Sequence, residues 1–143
     1  MSSRRWTHTA AIEFFTEQLV RQIAGRYAVR PQLPFTAGVR SEHEPDLAVT
    51  HKDPTRRMYP SELLLLIEIA DSPRRADRGI TLAIYAAAGV PECWIVDATG
   101  PSVAVYTQPA SGSYASVRRL HDGDVLRPTL LPEVEIPIAD IPR

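Results

Sequence analysis

The stretch Leu63-Leu-Leu-Leu-Ile-Glu-Ile-Ala70 decides the fold of this 143-residue chain. It shows no period-two alternation, so it does not read as a strand with one face in water. A continuous apolar run closed by Asp71-Ser72-Pro73 is expected of a central strand covered on both faces, although pattern alone also allows a buried helix. The residues after it favour the strand. Pro73 suits the start of a helix, and Ile80, Ile84 and Ala87 share one face of a helix from about Arg74 to Ala88, which Gly89 and Pro91 stop. Glu92-Cys-Trp-Ile-Val-Asp97 then reads as a second, largely buried strand. Strand, helix and strand in close succession form a βαβ unit, which implies a parallel pair joined by a right-handed crossover.

Toward the N-terminus, Thr7 to Ala24 reads as a helix. Ile12, Phe15, Leu19 and Ile23 recur at three- and four-residue spacing, Glu13, Glu17 and Arg21 lie on other faces, and Gly25 is a stop. Tyr27 to Phe35 looks extended, its prolines suiting an edge strand. Pro45-Asp-Leu-Ala-Val-Thr50 is a short strand that opens on an acid, and polar His51 to Pro60 reads as an exposed basic loop. After Asp97 the texture changes to short strands, Val103 to Tyr106, Tyr114 to Arg119 and Val134 to Ile136, divided by turn signals such as Ser111-Gly112 and Asp122-Gly123-Asp124. The expectation is one α/β domain over residues 1–143: a mixed central sheet with a βαβ unit, flanking helices and a C-terminal antiparallel meander.

Composition narrows the function. With 44% hydrophobic and 23% charged residues, the chain suits one domain with a substantial core. The apolar run Leu63 to Ile67 falls far short of the roughly 18 residues that span a bilayer, and no secretory signal pattern opens the chain. A cytoplasmic protein is expected. The single cysteine, Cys93, excludes an internal disulfide and any cysteine-cluster zinc site. A net charge of −1 gives no global sign of nucleic-acid binding. Of 16 basic residues all but Lys52 are arginine, so a lysine-dependent chemistry has one candidate in the whole chain.

Glu68 is the most informative residue. Removing a carboxylate from water costs several kcal/mol, so it needs a cation, a hydrogen-bond partner or a proton. Pairing with an arginine at the strand's end would satisfy it as well as a metal would. Glu135, between Val134 and Ile136, has similar neighbours but sits among prolines that suggest a solvated edge. Asp46 is the second candidate, with a solvated turn acid as its plainer reading. If the strands of Asp46 and Glu68 pair, about 4.8 Å apart, both carboxylates can converge on one hard cation. Magnesium, or manganese, is suited by two carboxylates and a backbone carbonyl, the remaining positions being water. Such an ion activates water and neutralises a scissile phosphate.

Glu44-Pro45-Asp46-Leu-Ala-Val, Leu66-Ile-Glu68-Ile-Ala-Asp71-Ser72, Asp77-Arg78-Gly79 and Leu82-Ala-Ile-Tyr85-Ala-Ala-Ala-Gly89-Val-Pro91-Glu-Cys-Trp94-Ile-Val-Asp97 together resemble the Uma family of putative restriction endonucleases, within the PD-(D/E)XK nuclease superfamily. The likeness runs from about His8 through Asp122-Gly123-Asp124 and Leu130-Leu-Pro132. It implies a restriction-endonuclease-like core and metal-dependent cleavage of DNA phosphodiesters, with Asp46 and Glu68 at the family's metal-binding positions. A homodimer would supply a second cleft for the second strand. The alternative is a nuclease-fold module that binds DNA or a protein without cutting.

Two departures stand out. The family usually carries an extra N-terminal hairpin before the first helix, and this chain opens almost at that helix. The family's lysine falls at Thr81, which offers neither charge nor a competent base. Arg78, a turn earlier, could bring charge but stays protonated and makes a poor base. Lys52 lies beyond the Asp46 strand with no evident route to the metal. The remaining candidates read more simply. His8 suits helix capping or packing, Tyr85 and Trp94 suit the core, and Cys93 suits a packed thiol. Asp71 and Asp77 suit caps, and His43, His51 and His121 lack ligand spacing. Arg56, Arg57, Arg74, Arg75 and Arg78 form a candidate phosphate-contacting face.

Overall fold

In the computed structural model, residues 3–31, 35–38, 41–43, 45–52, 63–70 and 79–143 are described. The apolar stretch is a strand, β5 (Leu63–Ala70), and all eight of its residues are buried. It lies third in a six-stranded sheet of order β1-β4-β5-β6-β7-β8, with β1 (Ala28–Pro31), β4 (Leu47–Thr50), β6 (Glu92–Asp97), β7 (Ser102–Ala110) and β8 (Ser113–Leu120). β5 and β6 run parallel, as the βαβ reading requires, and the other neighbours in this sheet are antiparallel.

Both faces of β5 are covered, which is why its sequence does not alternate. On one face lies α1 (Ser3–Ile23), whose fully buried Ala11, Phe15, Leu19 and Ile23 recur every fourth residue. They pack on Leu47, Leu65, Ile67, Trp94 and Val96, with the Phe15 ring edge-on to Trp94 at 6.3 Å. On the other face, Leu82 and Tyr85 of α2 (Gly79–Ala87) meet Ala48, Leu66, Cys93 and Ile95. Leu64 and Leu65 both belong to the α1 side because the β4–β5 register slips between Val49 and Thr50, and an extra residue there lets two successive side chains share a face. The α2 helix closes as expected at Gly89, whose φ of 84° a side chain would resist. Val90 N donates to Tyr85 O and Gly89 N to Ala86 O, a Schellman closure that leaves Val90 fully buried.

The C-terminal segment differs from the expected meander. β7 and β8 form its hairpin. The residues after them leave the sheet: β9 (Val125–Leu126) pairs with β10 (Ile136–Pro137) in a separate two-stranded sheet. Leu126, Leu131, Val134, Ile136, Ile138 and Ile141 are all buried in the α1 cluster, so this tail completes the layer that α1 begins. Gln22 fastens it by donating from Nε2 to Glu135 O at 3.0 Å and accepting from Glu135 N at 2.7 Å. Glu92 fastens it from the sheet: its Oε1 accepts from Thr129 N and its Oε2 from Trp94 Nε1. A small hairpin, β2 (Phe35–Gly38) with β3 (Ser41–His43), was also not anticipated.

Candidate functional site

The β4–β5 ladder ends at Leu47 opposite Ile67; continuing its register beyond the strand would put Asp46 opposite Glu68 and Pro45 opposite Ile69. Here the ladder stops for a chemical reason. Pro45 has no N–H to donate, so it cannot offer the Ile69 carbonyl a main-chain donor. The Ile69 amide has a side-chain acceptor instead: Asp46 Oδ2 accepts from Ile69 N at 2.8 Å. That amide joins Glu68 to Ile69, so the Asp46 carboxylate lies against the main chain just after Glu68. Ala70 O accepts from Ala98 N on the β6 side. Alternation along the strand then turns the Ile69 carbonyl toward the Asp46 side. The second Asp46 oxygen lies 3.4 Å from Nε2 of His8 on α1. Asp46 keeps 17% of its side-chain exposure and His8 31%, so water reaches this end.

Glu68 faces inward, toward α2, and is 6% exposed. Its Oε1 accepts a 2.8 Å hydrogen bond from the Tyr85 hydroxyl, itself 1% exposed. This meets the requirement that a buried carboxylate be hydrogen-bonded. Thr81 is half-buried one turn before Tyr85, on the same side of α2. Lys52 is exposed beyond the opposite end of β4, beside Gly25, roughly 20 Å of strand away from Asp46.

The structure sets the Asp46 carboxylate against the Ile69 amide and His8 of α1, and turns the Glu68 carboxylate to Tyr85 of α2, which adds two residues that the sequence suggests for other roles. His8, read as a capping or packing residue, touches Asp46; Tyr85, read as core, is core and also bonds Glu68. No spacing rule would have found His8, because its distance from Asp46 depends on how α1 lies across the sheet. Arg78 and the basic face of Arg56, Arg57, Arg74 and Arg75 lie outside the described residues, as do Asp71 and Asp77. Glu135 is solvent-exposed and paired with Arg127. Cys93 is a buried thiol outside any disulfide, and Trp94 is buried in the core.

Among the described residues no group of three or more His, Cys, Asp or Glu side chains gathers around one point. The oxygens that could serve a cation near the ladder end are the Asp46 and Glu68 carboxylates and the Ile69 carbonyl. That all-oxygen set fits a hard cation such as magnesium, which takes few protein ligands and keeps water for the rest. It does not fit zinc, which favours closed sets of imidazole and thiolate.

Comparison with known proteins agrees with this architecture. The chain is similar over 94% of its length to the crystal structure of "a putative nuclease belonging to DUF820" from Anabaena variabilis, with a TM-score of 0.74, 18% identity and 79% of that chain covered. At that identity the likeness establishes a shared fold, here the restriction-endonuclease-like one. No curated protein matches significantly. The sequence pattern of the Uma2 family, described as "Putative restriction endonuclease", matches residues 1–139, and with nearly the whole length so covered the chain belongs to that family.

Proposed function

We propose that this protein is a magnesium- or manganese-dependent endonuclease that hydrolyses DNA phosphodiester bonds. The observation that carries the reading is the Asp46 carboxylate seated 2.8 Å from the amide of Ile69, the residue after Glu68 in β5. A divalent ion bound there would supply positive charge against the phosphate and lower the pKa of a coordinated water. Asp46, Glu68 and the Ile69 carbonyl would hold it. Asp46 is fixed by the Ile69 amide on one oxygen and neighboured by His8 on the other, and Glu68 by Tyr85, so neither carboxylate has to be ordered at the moment of binding. The family name and fold support a nuclease; the DNA substrate, the ion and a homodimer for double-strand cleavage belong to this proposal.

Thr81 favours a second reading, in which cleavage is weak or lost and the fold serves to bind nucleic acid. Threonine can hydrogen-bond a phosphate oxygen but cannot neutralise its charge or take a proton from water. One experiment separates the two. Supercoiled plasmid is incubated with manganese and either the wild type or Glu68→Ala. Nicking that disappears in the variant supports the nuclease, while nicking that survives assigns the activity to another site or a contaminant. DNA retained without nicking, and released steeply as salt is raised, favours the binding module.

A further inference from the structure

Tyr85 occupies a position that phenylalanine would fill with nothing polar to satisfy. It is 1% exposed, packed among Leu66, Cys93 and Ile95, and its hydroxyl is nevertheless committed to Glu68 Oε1 at 2.8 Å. The phenol is held from several sides. It stands in the last full turn of α2, whose closure runs through its own carbonyl to Val90 N, and Val90 O in turn accepts from Tyr114 OH at 2.8 Å. A tyrosine has only two side-chain torsions, and with the ring packed and the helix end tied down the hydroxyl has one place to be. Glu68, by contrast, has three torsions and would sample several rotamers if nothing restrained its carboxylate.

We infer that Tyr85 is a positioning residue: its hydroxyl sets the orientation of the Glu68 carboxylate for binding a divalent ion. The inference rests on the metal-site reading above and goes beyond it by assigning a role to a residue of the core. Groups that orient a ligand from behind typically change metal affinity by ten- to a hundred-fold when removed.

The test is a calorimetric titration of Mn²⁺ into the wild type, Tyr85→Phe, Glu68→Ala and Cys93→Ala, with melting temperatures measured alongside. Cys93→Ala empties space on the same apolar face without touching the hydrogen bond. Tyr85→Phe should bind Mn²⁺ about tenfold more weakly and melt somewhat earlier because the buried Glu68 carboxylate loses a donor, and Cys93→Ala should melt earlier at unchanged affinity. Wild-type affinity in Tyr85→Phe, with binding lost in Glu68→Ala, would overturn the inference and leave the metal site standing. A weakening that Cys93→Ala reproduces for the same loss of melting temperature would also overturn it, by assigning the effect to a looser core. If the wild type binds no Mn²⁺, or Glu68→Ala binds it equally well, the metal site falls and the role of Tyr85 falls with it.

Discussion

Threonine at position 81 stands where the resemblance read from the sequence expects a lysine, half-buried one turn before Tyr85, the partner of Glu68. Thr81→Lys should therefore raise plasmid nicking with manganese by roughly tenfold or more, since a single well-placed charge on a developing anion contributes at least that much. An unchanged rate would mean that position 81 does not reach the phosphate. Asp46→Ala should abolish metal binding and also destabilise the protein by about 1–3 kcal/mol in urea unfolding, because the Ile69 amide loses its acceptor. Both acids were legible in the sequence for the same reason: a carboxylate inside or opening an apolar strand needs an explanation. His8 and Tyr85 were not, because a histidine or tyrosine on an amphipathic helix looks the same whether it fills space or serves a neighbour. Only the long-range packing of α1 and α2 on the sheet distinguishes the two.

Elements follow the same division. β5 and β6 were readable as continuous apolar runs and α2 from its helical period, each bounded by proline or glycine, and the recurrence of Ile12, Phe15, Leu19 and Ile23 declared α1. The pairs β2–β3 and β9–β10 were not readable. Strands of two to four residues carry no period, and β9 finds its partner ten residues away across turns and prolines. The weight of the α1 stripe is measurable. Phe15→Ala should cost about 3–5 kcal/mol in equilibrium unfolding, since it opens a cavity against Trp94. The β7–β8 hairpin carries a pH dependence. Burial, aided by the nearby Cys93, pushes the Tyr114 phenol well above its usual 10.0. The folded protein thus keeps a proton that the unfolded chain surrenders, so this contribution is intact below pH 10 and falls away as pH rises beyond it. Tyr114→Phe, which cannot ionise, should make the alkaline decline in unfolding free energy shallower.

At the scale of the whole molecule, the sheet divides two layers of different make-up. The α2 layer contributes the wall of the candidate site, and among the described residues the α1 layer holds the larger apolar cluster, closed by the C-terminal tail. Deleting residues 134–143 would remove Val134, Ile136, Ile138 and Ile141 from that cluster. The truncated chain should lack a cooperative thermal transition by circular dichroism, although every strand of the main sheet is still present in its sequence. Gln22 makes the dependence mutual, since the amide that braces residue 135 sits on a helix near the other end of the chain. This arrangement has a consequence during biosynthesis. The greasy stripe of the first helix emerges from the ribosome early, while the segment that covers it is made on the order of ten seconds later at ordinary translation rates. Through that interval the nascent chain shows an unfinished apolar surface, which makes it a natural client for chaperones that bind at the tunnel exit.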